Sequence, residues 1–324
     1  MRLGGLQVCE AELRELRCLA LACTLSSTTI AFRTKASVVD PVTEVDEECE
    51  RLIVAKILAQ FPTDSIIAEE GHSEQVDAQL QSAPWAWVID PIDGTRNFCH
   101  CLPNVSVSIG LVHQGQIVGG CVHAPVFGET YSAMRGKGAT MNGRQISVST
   151  VRELNQAAIG TDINSRQENT LVSTLSAWKA LLAANAQNLR IRGSAALELC
   201  SVACGRLDCH FEEGLDVWDI CAAAIIIKEA GGVIWATSGA AQEELVLARF
   251  KGGVCAANSA ELGSKVAQVL GSASAATAAA AQPTWLGLVH ERGRGLGFGL
   301  LLAGLSVGFA AGYAIAQQRA AVRG

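Results

Sequence analysis

The spacing of apolar residues along the chain predicts several helices and strands before any other property is considered. A helix is predicted for about residues 44–60, because apolar side chains recur there at helical spacing: Val45, Cys49, Leu52, Ile53 and Ile57. A further helix is predicted across about residues 9–31. The short apolar runs at 66–68 and 85–89 are typical of strands.

The middle and the second half of the chain show two different patterns. Residues 104–148 predict an antiparallel meander, with turns at Gln114-Gly115, near Gly128 and at Asn142-Gly143. After about residue 155, strand and helix patterns alternate. Strands are predicted for 190–192, 208–211, 232–235 and 254–257, and helices for about 195–204, 219–230 and 260–270. Sheets layered with helices fit this order, so the predicted fold class is α/β, in the layered α+β sense.

The pattern changes near residue 271. Residues 271–283 are rich in alanine and serine and read as a low-complexity linker. Residues 296–316 then carry no charge, and as a helix they would span roughly 31 Å, about one hydrocarbon core. Gly304, Gly308 and Gly312 suit close helix pairing in lipid. We predict a C-terminal membrane anchor here; a core helix and a glycine-rich tail are the alternatives.

The predicted domains follow from this change. We predict that residues 1–270 form one folded domain, divided into subdomains 1–152 and 153–270. Residues 271–290 form the linker, and residues 291–324 contain the anchor.

The composition and the net charge exclude several classes of protein. Of the 324 residues, 49% are hydrophobic and 17% are charged, which excludes a generally disordered protein. The net charge of -6 lacks the basic excess of a nucleic-acid binder. The N-terminus offers no export signal, because acidic residues precede its apolar run. We therefore expect a cytosol-facing protein with no nucleic-acid partner.

The twelve cysteines form no C-x-x-C pair. Small buried thiols in a reducing compartment are the favoured interpretation. Metal clusters at Cys99-His100-Cys101, or at Cys200, Cys204, Cys209 and His210, are the alternative.

The segment 87–98 carries the strongest chemical signal. The apolar run 87–89 ends at Asp90, and Pro91 with Gly94 predicts a tight turn that returns Asp93 beside it. Two carboxylates this close repel each other unless a cation lies between them. The amides of Gly94 and Thr95 then open the next segment, where free N–H groups can hold a phosphate. An acidic surface turn is the plainer alternative.

Further acidic residues lie at the ends of two other predicted elements. Glu69 and Glu70 follow the apolar run 66–68, and Asp219 stands where a helix begins. Taken singly, Glu69 and Glu70 suggest a solvated loop, and Asp219 suggests a helix cap. Taken with Asp90 and Asp93, they predict an all-oxygen site, which favours Mg²⁺.

Three motifs resemble those of the inositol monophosphatases, the Mg²⁺-dependent, lithium-sensitive sugar-phosphate phosphatases. They are the Glu-Glu pair at 69–70, Asp-Pro-Ile-Asp-Gly-Thr-Arg-Asn-Phe at 90–98, and Trp-Asp…Glu-Ala-Gly-Gly across 218–232. The resemblance covers roughly residues 9–270 and implies the layered fold of sugar phosphatases. The tail beyond 271 has no counterpart in the family pattern.

The resemblance also implies roles for the matching residues. Glu69, Asp90 and the Ile92 carbonyl would hold one Mg²⁺, and Asp90, Asp93 and Asp219 a second. Thr95 and Asp46 would form a hydrogen-bonded pair that, with Glu69, polarises the attacking water. For Asp46, a capping box with Thr43 is an alternative compatible with that role.

The implied substrate contacts lie in the same segments. Gly94 and Thr95 would hold the phosphate, and Asp219 would border the substrate. Asp93, Ala195 and Glu212 would contact inositol hydroxyls. Glu212 is preferred to Glu213 because it lies seven residues before Asp219.

The expected activity is hydrolysis of inositol monophosphate, a small phosphate monoester, by a metal-activated water. Related phosphatases acting on histidinol phosphate, 3′-phosphoadenosine nucleotides or fructose bisphosphate remain alternatives, as does a non-enzymatic membrane scaffold. A homodimer is left open. Two departures from the family pattern, Ala68 and Cys221-Ala222-Ala223, remove no ligand.

Overall fold

The computed structural model describes residues 33–34, 41–42, 44–71, 76–163, 168–237, 245–250 and 252–281. The chain divides into a compact unit, Met1–Thr277, and a second unit, Ala278–Gly324. The helix predicted for 9–31 and the anchor predicted for 296–316 lie outside the described residues.

The helices of the described part are short to medium in length. They are α1 (Glu44–Gln60), α2 (Val76–Ser82), α3 (Thr95–Cys99), α4 (Glu168–Ala183), α5 (Ala195–Ala203), α6 (Val217–Glu229) and α7 (Ala260–Ala281). The bounds of α1 match the predicted 44–60, because its buried face repeats at 3.6 residues without interruption.

Seven strands form the first sheet, in the order β3-β4-β5-β6-β7-β8-β9. They are β3 (Ser65–Ala68), β4 (Trp85–Asp93), β5 (Ser106–His113), β6 (Gln116–Ala124), β7 (Glu129–Met134), β8 (Ala139–Met141) and β9 (Arg144–Ile146). β3 pairs parallel with β4, and the other neighbours pair antiparallel. The predicted meander and its three turns are confirmed. A separate two-stranded ribbon pairs β1 (Arg33–Thr34) with β2 (Pro41–Val42).

Five strands form the second sheet. They are β10 (Ala158–Thr161), β11 (Asn188–Arg190), β12 (Cys209–Leu215), β13 (Val233–Ala236) and β14 (Gly252–Ala257), in the order β11-β10-β12-β14-β13. The strand predicted for 190–192 is wrong by two residues, because the chain leaves the sheet before Gly193, whose φ is +81°. The predicted division at 152/153 falls between the two sheets and stays a prediction.

The helices and sheets alternate in five layers. α1 covers the outer face of the first sheet, with Ile53 and Ile57 against Trp87 and Ile109. α5 and α6 lie between the sheets, in a core that joins Val122 to Val254. α4 and α7 cover the outer face of the second sheet. The layered α/β fold is therefore confirmed, and it places the ends of β4, α5 and α6 close together.

Two glycines on the first sheet let α6 pack closely. A Cβ on Gly110 of β5 would lie 2.3 Å from the Cys221 Sγ, and a Cβ on Gly120 of β6 would lie 2.4 Å from the Ala222 carbonyl oxygen. The Cys221-Ala222-Ala223 departure is thus accommodated by strand residues that have no side chain.

The C-terminal part of the described chain differs from the prediction. α7 does not end near residue 270 but continues to Ala281, so the first part of the predicted linker, 271–281, is helical. Alanine has the highest helix propensity, and the run of alanines therefore extends the helix. Within the residues that the structure describes, no helix combines the length and the apolar character needed to cross a membrane.

Candidate active site

The site begins at the carboxyl end of β4, the strand that places the central acids. Trp87, Val88 and Ile89 are fully buried, and Asp90 and Asp93 are nearly so. The tight turn predicted at Pro91 is wrong: β4 continues through Pro91 to Asp93, and its pairing with β5 shifts register between Asp90 and Asp93. This irregularity turns both carboxylates toward one side, and the chain changes direction only at Gly94.

Three carboxylates meet at this point. Asp219, in the first turn of α6, joins Asp90 and Asp93, and oxygens of the three side chains lie within 4.8 Å of one another. Its other contact is with the start of its own helix, because it accepts the Asp216 N–H at 2.7 Å. The predicted helix-cap and cluster roles of Asp219 therefore coexist.

Burial and mutual repulsion make this cluster unstable as three anions. The pKa values of Asp90 and Asp219 are raised well above their ordinary value, first by burial and then by the neighbouring acids. Burial also raises the pKa of Asp93 to about 6, although hydrogen bonds from its neighbours oppose the rise.

The cluster fits a divalent cation. The Asp90 Oδ1 atom is buried and has no hydrogen-bond partner, a costly state for a carboxylate oxygen. All three donors are carboxylate oxygens, which hard cations prefer. A cation would supply the missing partner and remove the repulsion, so the acidic cluster has the character of a metal site.

Asp93 is fixed by donors from two other elements. It accepts hydrogen bonds from Ser106 Oγ (3.2 Å) and Ser194 Oγ (2.5 Å), and from the N–H groups of Ala195 (3.2 Å) and Ala196 (2.9 Å). The last two open α5, so a helix N-terminus faces the carboxylate. Ala195 thus lies in the predicted site, and Ser106 and Ser194 are partners that the sequence did not reveal.

Glu69 follows β3 and lies beside the cluster, where its charge contributes to the raised pKa of Asp90. Its turn is held by Glu50 of α1, whose carboxylate accepts the N–H groups of Glu70 (2.7 Å) and Gly71 (2.8 Å). Glu50 was missed, but a signal existed: like Asp46, it is an acid on the face of α1 that carries Cys49 and Ile53.

Thr95 and Asp46 form the predicted pair. Thr95 Oγ1 lies 3.4 Å from Asp46 Oδ1 and 3.1 Å from the Ile92 carbonyl oxygen. Asp46 is fully buried. One hydroxyl proton is therefore shared between two acceptors, which leaves the lone pairs of the Thr95 oxygen available to another donor.

Gly94 shapes the corner between β4 and α3. Its φ is +92°, and a Cβ there would lie 2.8 Å from the Asn104 carbonyl oxygen and 2.9 Å from that of Gly193. Only glycine fits this corner, which leads the chain directly into α3 and its N-terminal N–H groups.

A cavity of about 440 Å³ opens above these groups. It is lined by Glu69, Asp90, Ile92, Asp93, Gly94, Thr95, Ala195, Glu212 and Asp219, all of them predicted site residues. Asp46 lies behind Thr95. The cavity also receives Arg96, Asp162 and Arg192, which the sequence did not indicate.

The alternative cysteine and histidine clusters are not assembled. In the described ranges, the acid triad alone groups three or more side chains suited to a metal. Cys200 and Cys209 are buried thiols, as the favoured interpretation expected.

Comparison with known proteins agrees with this geometry. The profile of the inositol monophosphatase family matches residues 11–275. This chain belongs to the inositol monophosphatase family. The rat protein inositol monophosphatase 2 (Rattus norvegicus) is 41% identical over 207 residues, which cover 64% of this chain and 71% of the rat protein.

Solved structures of the family share the fold. The IMPase of Thermotoga maritima has a TM-score of 0.70 and 34% identity, over 80% of this chain and 94% of that one. SaIMPase-II of Staphylococcus aureus, with inositol monophosphate bound, has a TM-score of 0.60 and 28% identity, over 70% of this chain and 83% of that one. Another structure of SaIMPase-II holds 2′-AMP. The predictions of the family and of a phosphoric monoester hydrolase are thus confirmed.

Proposed function

We propose that this chain hydrolyses inositol monophosphate to inositol and phosphate with the help of Mg²⁺. The observation that carries the proposal is the meeting of two buried acids, Asp90 and Asp93, with the half-buried Asp219 in one cavity with the N-terminus of α3. A phosphate monoester is itself anionic, so such a cavity can receive it only when cations balance the carboxylates.

Glu69, Asp90, Asp93, Asp219 and the Ile92 carbonyl are the proposed Mg²⁺ ligands. When bound, Mg²⁺ would lower the pKa of a water and neutralise charge on the phosphate and the leaving alkoxide. Lithium sensitivity is proposed with this metal site, from the family resemblance.

The chain's own groups would position the reactants. The N–H groups of Gly94 and Thr95 would hold phosphate oxygens at the start of α3. Thr95 Oγ1, donating toward Asp46, would accept a hydrogen bond from the attacking water and so polarise it, and Glu69 would orient that water from the other side. These contacts fix the water relative to phosphorus, which is most of what phosphoryl transfer asks of a protein.

The inositol ring would face the opposite wall. There Asp93, Ala195 and Glu212 are the proposed contacts to ring hydroxyls, and Asp219 borders the same space. Hydrogen bonds to hydroxyls would discriminate against substrates that lack them.

The test is a substrate panel on the purified full-length chain, with and without Mg²⁺. It compares inositol 1-phosphate, histidinol phosphate, fructose 1,6-bisphosphate, adenosine 3′,5′-bisphosphate and 2′-AMP, the last because a relative binds it. Highest kcat/KM for inositol 1-phosphate supports the proposal. A preference for a nucleotide would favour the related-phosphatase alternative, and no hydrolysis at all would favour a scaffold.

We also propose that residues 296–316 anchor the chain to a cytosol-facing membrane. The support is their length without charge and the arginines on either side, Arg292 and Arg294 before and Arg319 and Arg323 after. Homodimer formation is a separate proposal, and light scattering on the purified chain tests it.

A further inference from the structure

His210 is a buried histidine beside the substrate cavity that none of the roles above uses. It precedes Glu212 by two residues on β12, so both side chains point to the same side of the sheet. The imidazole is fully buried. Gly160 of β10 makes room for it, because a Cβ there would lie 2.8 Å from His210 Nδ1 and 2.4 Å from Glu198 Oε2.

The imidazole lies between two carboxylates. Its Nε2 atom is 3.2 Å from Glu212 Oε2, and its Nδ1 atom is 3.8 Å from Glu198 Oε2. The other oxygen of Glu198 accepts a hydrogen bond from Arg192 Nε. Four side chains thus form a line, Arg192–Glu198–His210–Glu212, which starts and ends at the wall of the cavity.

The line of four side chains lacks hydrogen bonds at His210. Neither nitrogen of His210 makes a well-aligned hydrogen bond, which costs a buried polar group about 1–3 kcal/mol. Burial lowers the pKa of His210 to about 4, so the ring is neutral near pH 7 and carries one N–H. Of the two ring nitrogens, only Nε2 has a carboxylate oxygen, that of Glu212, within hydrogen-bond distance.

The charged form of Glu212 is disfavoured by its surroundings. Burial raises its pKa well above the ordinary value, and repulsion from Asp162, Asp93 and Glu198 raises it further, while Arg96 opposes the rise. A neutral donor beside the carboxylate would help it remain charged and would fix its direction.

We propose that His210 is a positioning residue, which holds the Glu212 carboxylate ready for a hydroxyl of the sugar-phosphate ring. On binding, Glu212 turns slightly, accepts the His210 Nε2–H on one oxygen and the substrate hydroxyl on the carboxylate, and so completes the line. His210 itself does not touch the substrate. The inference rests on the proposed function, because it needs a substrate with a ring hydroxyl at Glu212.

Two variants separate the two nitrogens. His210→Gln can keep a donor near the position of Nε2, whereas His210→Asn reaches only about as far as Nδ1. We expect His210→Asn to raise KM for inositol 1-phosphate roughly fivefold to tenfold, the value of one hydrogen bond, with kcat nearly unchanged. His210→Gln should restore most of the loss. KM for p-nitrophenyl phosphate, which has no ring hydroxyl, should change less than about twofold by the same reasoning.

Controls separate positioning from folding. His113→Asn, a histidine stacked on Trp85 in the first sheet, should leave both KM values unchanged. Thermal unfolding is recorded for every variant. If His210→Asn does not fold, His210→Phe, which keeps the ring volume and removes the donor, takes its place.

A double-mutant cycle tests whether His210 acts through Glu212. In a Glu212→Ala background, His210→Asn should have no further effect on KM for inositol 1-phosphate. Additive effects, or equal KM changes for both substrates, would overturn the inference. Failure of the wild-type chain to hydrolyse any ring-hydroxyl phosphate would instead overturn the proposed function.

Discussion

At the scale of single residues, Asp90 combines a buried, repelled carboxylate with the proposed chemistry. We expect Asp90→Asn to lower kcat with Mg²⁺ about a thousandfold, equivalent to about 4 kcal/mol of transition-state stabilisation. The folded structure should survive, because asparagine keeps the shape and removes a repelled charge. Activity assays and circular dichroism check both points. Asp77→Asn, an exposed acid on α2, is the control, and normal turnover in Asp90→Asn would refute the metal assignment.

The same cluster predicts how stability depends on pH without metal. The pKa of Asp93 is raised from 3.8 to about 6, so the folded protein holds this proton more tightly than the unfolded chain. Stability conferred by the protonated form is present below pH 4 and is lost as pH rises through about 6. Urea unfolding in EDTA should therefore show a fall in stability between about pH 4 and pH 6, and added Mg²⁺ should remove it. A fall unaffected by Mg²⁺ would contradict this prediction.

Gly94 is the residue whose replacement should distort the phosphate site. Gly94→Ala adds a Cβ at positive φ against two carbonyl oxygens, whereas Gly143→Ala adds one at φ +76° with no atom within 4 Å. Both variants should lose about 1–2 kcal/mol of unfolding free energy, because alanine is strained at a positive φ. Only Gly94→Ala should also raise KM for inositol 1-phosphate. Equal effects on KM would show that the close contacts at Gly94 do not matter.

At the scale of elements, the position of α6 determines where Asp219 lies. Gly120→Ala would place a methyl group 2.4 Å from the Ala222 carbonyl oxygen, so the helix must move. We expect a loss of about 1–3 kcal/mol in unfolding free energy, together with weaker Mg²⁺ activation. Denaturant unfolding and Mg²⁺ titration of activity measure these changes.

The control for this variant is a glycine with space around it. Gly271→Ala on α7 meets no atom within 4 Å and replaces a poor helix former, so stability should be unchanged or slightly higher. If Gly120→Ala destabilises the protein without changing Mg²⁺ activation, α6 does not set the position of Asp219.

The helices and strands also show how much of the fold could be predicted from the sequence. α1 was predictable because bulky apolar residues recur along it at helical spacing, and β4 because Trp87, Val88 and Ile89 form an uninterrupted apolar run. β10 and α4 were missed: β10 has one bulky residue, Ile159, and the buried face of α4 includes Thr174 and Ala177, which hide the helical repeat. The acids proposed as metal ligands could be named from motifs. Ser106, Ser194 and the position of His210 beside Glu212 could not, because only the fold brings them to the site.

At the scale of the whole molecule, the layered fold accounts for the catalytic part, and the proposed anchor lies in the sequence beyond it. Residues 296–316 are uncharged, and placing one arginine at the centre of a membrane helix costs about 2.5–3.5 kcal/mol. Leu301→Arg with Leu305→Arg should therefore move the full-length protein from the membrane fraction to the supernatant. Gln317→Arg, outside the uncharged stretch, should leave it in the membrane fraction.

Removal of residues 284–324 should give the same release with unchanged kcat/KM for inositol 1-phosphate, because every proposed site residue lies in the compact unit Met1–Thr277. Fractionation and activity are measured on the same samples. A wild-type chain found wholly in the supernatant, or a doubly substituted chain that stays with the membranes, would show that residues 296–316 are not an anchor. Release accompanied by loss of activity would show that the tail also supports the catalytic part.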